Sequence, residues 1–272
     1  DRKSISEEII MFANFHTHTP RCGHAVGSEE EYIKAAIAAG HKIIGFSDHT
    51  PYRFPNGFIS YFRMPPEKLE DYVTTVRALK EKYRGQIEVK IGLEAEYYPA
   101  IFDDLLEMIR PYDLDYLILG QHLLGNEEND FYSGTPTDDP ALLRRSVDQV
   151  LCGLQTGKFT YLAHPDLIHF TGDDETYRAE MSRLCEFSLR HDIPTEINLL
   201  GLWDHRHYPS ERFIRLCGEY KNPVIFGIDA HQPERYFDRD VVERAEGLVK
   251  KYGVRLIDVP ALRRPNEAPP IA

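Results

Sequence analysis

The sequence predicts an α/β protein, a (β/α)7 barrel with its functional residues gathered at the C-terminal ends of the strands. Three observations lead there. Seven short apolar runs, several rich in Ile, Val and Tyr, recur along the 272 residues, as buried strands do. The segments between them carry apolar residues at helical spacing. Histidines and carboxylates fall just beyond run after run, at the end where α/β barrels build their sites. An open doubly wound sheet is the alternative arrangement of the same units.

The first strand is expected over residues 11–15. After it, Ser28-Glu29-Glu30-Glu31 has the spacing of a capping box. Ile33, Ala36 and Ile37 then form one apolar face, and Gly40 ends the helix. The second strand covers 42–46 and runs into a long polar-aromatic loop, 50–66. Pro65-Pro66 opens a second helix whose apolar face is Leu69, Tyr72, Val73 and Val76. Strands over 87–93 and 116–119 follow, separated by a helix over 100–109. An excursion over 125–140 leads to a helix over 139–155. Strands over 160–163, 195–198 and 224–228 complete the set, with helices over 174–191, 210–220 and 234–252. Both long loops follow strand C-termini, and long loops in compact domains are often functional. No Ser/Gly-rich linker divides the chain, so residues 1–272 read as one barrel domain.

The formal net charge is −12, from 44 acidic and 32 basic residues. An acidic surface argues against salt-driven contact with nucleic acid backbones. An anionic substrate stays admissible, because bound cations reverse the local sign. Cys22, Cys152, Cys185 and Cys217 form no C-x-x-C pair and read as free thiols in a reducing compartment. No apolar run reaches 18 residues, which speaks against a membrane span, and residues 1–10 lack the pattern of a signal peptide. The expected address is the cytoplasm.

His16 and His18 end the first strand, and residues two apart on a strand share a face. His24 sits in the following loop. Asp48 and His49 end the second strand, Glu94 and Glu96 the third. His122 follows the fourth, His164 the fifth, and Asp229 and His231 the seventh. A single strand histidine is ordinarily structural. Seven of 12 histidines at one end of successive strands point to a polynuclear metal site, since imidazole suits zinc, iron and related ions and carboxylates bridge cations. His41, His169, His191, His205 and His207 are read as non-ligands. His41 and His191 fall near helix C-termini, where a positive charge is favoured.

The order His16-Thr-His18, His24, Ser47-Asp48-His49, Glu94, His122, His164-Pro165 and Asp229-Ala230-His231 resembles the polymerase-and-histidinol-phosphatase (PHP) family. The match runs from Phe15 to His231. It implies a distorted, TIM-like (β/α)7 barrel with two or three divalent ions, manganese, iron or zinc. By this resemblance one ion takes His16, His18, Glu94 and Asp229. A second shares Glu94 and takes His122 and His164. A third takes His24, His49 and His231. Gly92-Leu93-Glu94 fits the family motif, so Glu94 rather than Glu96 is the bridge, and Asp48 supports a ligand.

Two neighbouring divalent ions lower the pKa of a shared water and stabilise both oxygens of an in-line displacement, which suits phosphate hydrolysis. No G-x-S-x-G elbow offers a covalent nucleophile. The stretches Ser47 to Pro51 and His164 to Leu167 are most similar to the histidinol-phosphatase branch, which implies L-histidinol phosphate as substrate, in histidine biosynthesis. Another small phosphate ester or nucleotide on the same scaffold is the alternative, and a non-catalytic metal-binding module is a third reading. In that branch, arginines beyond the later strands hold the phosphate. Arg206 is the nearest candidate here, and His169 stands where a second arginine is expected. Tyr52, Arg53, Phe54, Tyr61 and Arg63 are further pocket candidates.

Overall fold

The computed structural model describes residues 11–128 and 131–271, so the reading of residues 1–10 lies outside the described part. Eight strands form one sheet in chain order: β1 (Ala13–Asn14), β2 (Ile43–Phe46), β3 (Glu88–Ala95), β4 (Tyr116–Leu119), β5 (Tyr161–Leu162), β6 (Thr195–Asn198), β7 (Pro223–Gly227) and β8 (Arg255–Leu256). Every neighbouring pair is parallel. The helices are α1 (Glu29–Ala38), α2 (Leu69–Lys82), α3 (Phe102–Ile109), α4 (Pro140–Gln155), α5 (Asp174–His191), α6 (Leu199–Trp203), α7 (Glu211–Tyr220) and α8 (Arg239–Tyr252).

The sheet curls into a distorted barrel. At its C-terminal rim β1 and β7 are drawn together: Thr17 bridges Ala230, His18 N donates to Ala230 O (2.9 Å), and Ala230 N donates to His16 O (3.1 Å). At the other end β8 pairs with Pro223 and Val224 of β7. This eighth strand is an addition to the expected seven. Two residues, one of them exposed, carry too little apolar pattern to announce a strand.

Ser28 and Glu31 do form a capping box on α1, with Ser28 Oγ accepting from Glu31 N and Glu31 Oε2 accepting from Ser28 N. The helix expected over 234–252 is in fact two pieces: a 3-10 turn at Pro233–Phe237, then α8 after Asp238, whose backbone (φ −77°, ψ 65°) is not helical. α6 is five residues long, below the length at which periodicity is readable, and is capped by the Asn198 side chain accepting from Gly201 N (2.9 Å).

Helices pack their apolar faces on the outside of the sheet, in a core that includes Tyr32, Ile33, Tyr72, Val76, Leu143 and Val147. A smaller cluster, Ala13, Phe15, Ile43, Tyr116, Ile118, Tyr161, Ala163 and Ile225, is drawn from strand residues. There Tyr116 Oη donates to Phe15 O or Phe46 O (2.8 and 2.9 Å), tying β4 to the ends of β1 and β2. No helix among the described residues is long and apolar enough to cross a membrane. All four cysteines are free thiols.

Candidate metal centre

Glu94, near the end of β3, is the hub of the histidine cluster. Its Oε1 lies 2.8 Å from His164 Nε2 and 3.8 Å from His122 Nε2. Its Oε2 lies 3.1 Å from His49 Nδ1 and 3.5 Å from the Nε2 atoms of both His16 and His18. The β2–β3 pairing continues past the strands through a His49–Glu94 bridge, which sets His49 beside the carboxylate. Asp229 closes the opposite side, with Oδ1 at 3.0 Å from His18 Nε2 and 3.5 Å from His16 Nε2. The His231 ring stacks on His18 (4.1 Å between centroids) and on His24 (4.7 Å), so His24 joins the group from the loop after β1. All nine residues singled out as ligands thus stand at one rim.

Most of the rings are held from behind. His16 Nδ1 bonds Glu196 Oε1 (2.8 Å), and His122 Nδ1 bonds Glu96 Oε1 (2.8 Å). His24 Nδ1 bonds Cys22 O, and His231 Nδ1 bonds Asp229 O. His18 Nδ1 faces Asp48 Oδ1 at 3.5 Å. Such outer partners fix which nitrogen carries the proton and turn the other inward. Glu96 therefore supports His122, and the hub is Glu94. Glu196, invisible as a site residue from the pattern of β6, also accepts from His164 N (3.0 Å) and Asn198 Nδ2 (3.0 Å).

Two glycines make room for these acids. A Cβ on Gly120 would collide with the Glu94 carboxylate, and one on Gly227 with that of Glu196. Two ligand candidates also hold backbone conformations that L-residues rarely adopt, His164 (φ 28°) and Asp229 (φ 54°).

His16 Nε2, both ring nitrogens of His18, His49 Nδ1, His164 Nδ1, His231 Nε2 and Glu94 Oε2 are buried without a hydrogen-bond partner. Each such atom costs about 1–3 kcal/mol when left unsatisfied. Divalent ions satisfy imidazole nitrogens and carboxylate oxygens together, so the donor set fits a metal centre. Several three-residue groups bring ligand atoms within 4.8 Å of one another, among them His16–His18–Glu94, His16–His164–Asp229 and His18–His49–His231.

The electrostatics agree. Burial opposes charge on His16, yet Asp229, Glu196 and Glu94 outweigh it and hold its pKa well above the ordinary value. Burial likewise opposes charge on His18, where Asp229 and Asp48 prevail. Burial should raise Glu94 and Asp229, but the surrounding imidazoles hold both well below the carboxylate range. His231, dominated by burial and by neighbouring His18, falls to about 3. The carboxylates of the cluster favour positive charge at the rings around them. His41 is a correction: it is buried, and desolvation pushes it down to about 4, so it is no helix-terminal cation. His191 is also lowered, by burial and then by Arg190 and Arg263.

A cleft of about 560 Å³ opens over the cluster, lined by His24, His49, Glu94, His122, Asp229 and His231. Arg206 lines it too. Its guanidinium is held by Asp204 (2.9 and 2.6 Å) and donates to Tyr208 Oη (2.8 Å). His169 does not line it; its ring stacks flat on His207 at 3.9 Å. Among the aromatic-loop candidates Tyr61 lines the cleft, whereas Arg63 is buried beneath it, bonded to Glu96 (2.8 Å) and Glu127 (2.7 Å). Tyr52 and Phe54 are buried in the core, and Arg53 is exposed away from the lining. Trp203, Tyr208 and Arg235 line the cleft and were not foreseen.

The PHP domain profile matches residues 14–199. The chain is 29% identical over 225 residues to a probable histidinol-phosphatase of Deinococcus radiodurans, covering 80% of this chain and 85% of that one. It is 33% identical over 253 residues to a probable histidinol-phosphatase of Schizosaccharomyces pombe, covering 81% and 80%. In fold it is similar to the histidinol phosphate phosphatase of Lactococcus lactis, crystallised with zinc, L-histidinol and phosphate (TM-score 0.72, 20% identity, 95% and 98% of the two chains). With the profile covering over half its length and the nine-residue cluster assembled at the barrel rim, this chain belongs to the PHP domain family.

Proposed function

We propose that this chain is a metal-dependent phosphatase that hydrolyses a small phosphate monoester, L-histidinol phosphate foremost, to the alcohol and inorganic phosphate. The observation that carries the reading is the convergence of seven histidines, Glu94 and Asp229 beneath a cleft that also presents Arg206. Two or three divalent ions, of manganese, iron or zinc, fit the donors. His16, His18, Glu94 and Asp229 would hold one; Glu94, His122 and His164 a second; His24, His49 and His231 a third. Once bound, the ions supply positive charge toward the phosphate oxygens and lower the pKa of water toward neutrality.

The chain's own residues do the rest. Glu196 and Glu96 keep His16 and His122 in the orientation that ligation needs, and Asp48 stands beside His18. Arg206, anchored by Asp204 and Tyr208, offers remaining N–H groups to a phosphate oxygen with little freedom left to lose. The cleft's size suits a small substrate, and two relatives named as probable histidinol-phosphatases make L-histidinol phosphate the first choice.

The test is kinetics of metal-loaded protein on a panel of phosphate monoesters. We expect kcat/KM for L-histidinol phosphate to exceed that for a generic aryl phosphate by at least about tenfold, ~1.4 kcal/mol of transition-state stabilisation. Parity would remove the substrate assignment and leave a phosphatase. Inertness toward all monoesters would remove both.

A further inference from the structure

Arg235 lines the same cleft as Arg206 but belongs to a different element, the 3-10 turn at Pro233–Phe237, four residues past His231. Its guanidinium lies on the Trp203 ring, 3.0 Å from the centroid, and its side chain is only 11% exposed. Asp238 Oδ2 accepts from Nη1 (3.1 Å). With its amide oxygen turned toward the arginine, Gln232 accepts from Nε (3.1 Å) and Nη2 (2.5 Å). A guanidinium has five N–H groups, so these three bonds leave one N–H on each terminal nitrogen.

Arg206 is built on the same plan, with one carboxylate anchor at Asp204 and one aromatic neighbour, Tyr208, whose ring centre is 5.8 Å away. Two like charges, each fastened from behind, therefore face one cleft above the histidine cluster. Each keeps a carboxylate neighbour, and the N–H groups left over can meet a doubly charged oxyanion. Two guanidiniums from separate loops also match a phosphate's several equatorial oxygens better than one does.

We propose that Arg235 is a second phosphate-binding arginine of this site beside Arg206, with Trp203 and Asp238 as the residues that position it. This rests on the phosphatase reading above. It commits the chain to a dianionic phosphate group gripped between the loops after β6 and β7.

The experiment measures competitive inhibition by inorganic phosphate, and its 31P NMR titration, on metal-loaded wild type, Arg235→Ala and Arg235→Lys. Metal content and Tm are recorded alongside. We expect Arg235→Ala to weaken phosphate about tenfold or more with full metal content, and Arg235→Lys to fall between, because lysine keeps the charge but loses the fork. Phosphate affinity unchanged in Arg235→Ala overturns the proposal. Should Arg235→Ala fail to fold, Arg235→Lys decides, and wild-type phosphate affinity there overturns it equally. A wild type that neither binds phosphate nor hydrolyses monoesters would instead overturn the phosphatase reading itself.

Discussion

At the scale of single residues, a carboxylate surrounded by five imidazoles is tenable because some of those neighbours are fixed in turn. Glu196 shows how. It bonds His16 Nδ1, receives His164 N, and sits where Gly227 leaves space. Replacing Glu196 with Gln keeps the shape and removes the charge that raises the basicity of His16. We expect Glu196→Gln to weaken metal binding by about 10–100-fold, measured by competition with a chelating dye, with little change in fold. Unaltered metal affinity would reduce Glu196 to packing. The residues of the cluster are legible in the sequence because most of them recur at the same place relative to a strand. Of their neighbours, Asp48 and Glu96 stand out in the same way, but Glu196 does not, because an acid within a strand looks like any other until its partner is known. Arg235 was hidden for a similar reason: it lay inside a segment read as a helix face, and only the break at Asp238 turns that stretch into a site loop.

At the scale of elements, strands and helices had different visibility. β4 and β6 run over the residues that their apolar runs mark, and α5 spans the periodic segment, since strong local pattern and tertiary demand coincide there. β8 and α6 are two and five residues long, held by pairing and by an Asn198 cap that no periodicity reports. α1 announces itself through its capping box, and the box has a measurable consequence. Ser28→Ala removes the acceptor for Glu31 N and should cost about 1 kcal/mol. In a protein of this size that is roughly 2–4 °C in Tm. Metal content should stay as in wild type. A loss of metal without a loss of stability would mean that the cap acts on the His24 loop rather than on the helix.

At the scale of the whole molecule, an acidic chain with net charge −12 carries at its centre a group of atoms that seeks cations. Protons and metal ions compete for the same nitrogens, and this fixes how stability depends on pH. His16 and His18 have folded-state pKa values above the ordinary 6.5, through Asp229 and its neighbours. In metal-free protein their pairing with carboxylates is a stabilisation fully present below pH 6.5 and lost as pH rises through those raised values. Glu94 and Asp229, held below 4.5 and 3.8, contribute above their ordinary values and lose that contribution only in acid. Metal ions follow the opposite course, because imidazole must be neutral to ligate, so their affinity grows with pH. A ligand in hundredfold excess over its dissociation constant adds about 2.7 kcal/mol to the folded state. The difference in Tm between metal-loaded and chelator-treated protein should therefore be small near pH 6 and widen steadily toward pH 8. Thermal denaturation across that range, with and without chelator, reads it directly. A difference that stays flat or narrows as pH rises would mean that the histidines do not exchange protons for metal, and the metal centre would lose its physical basis.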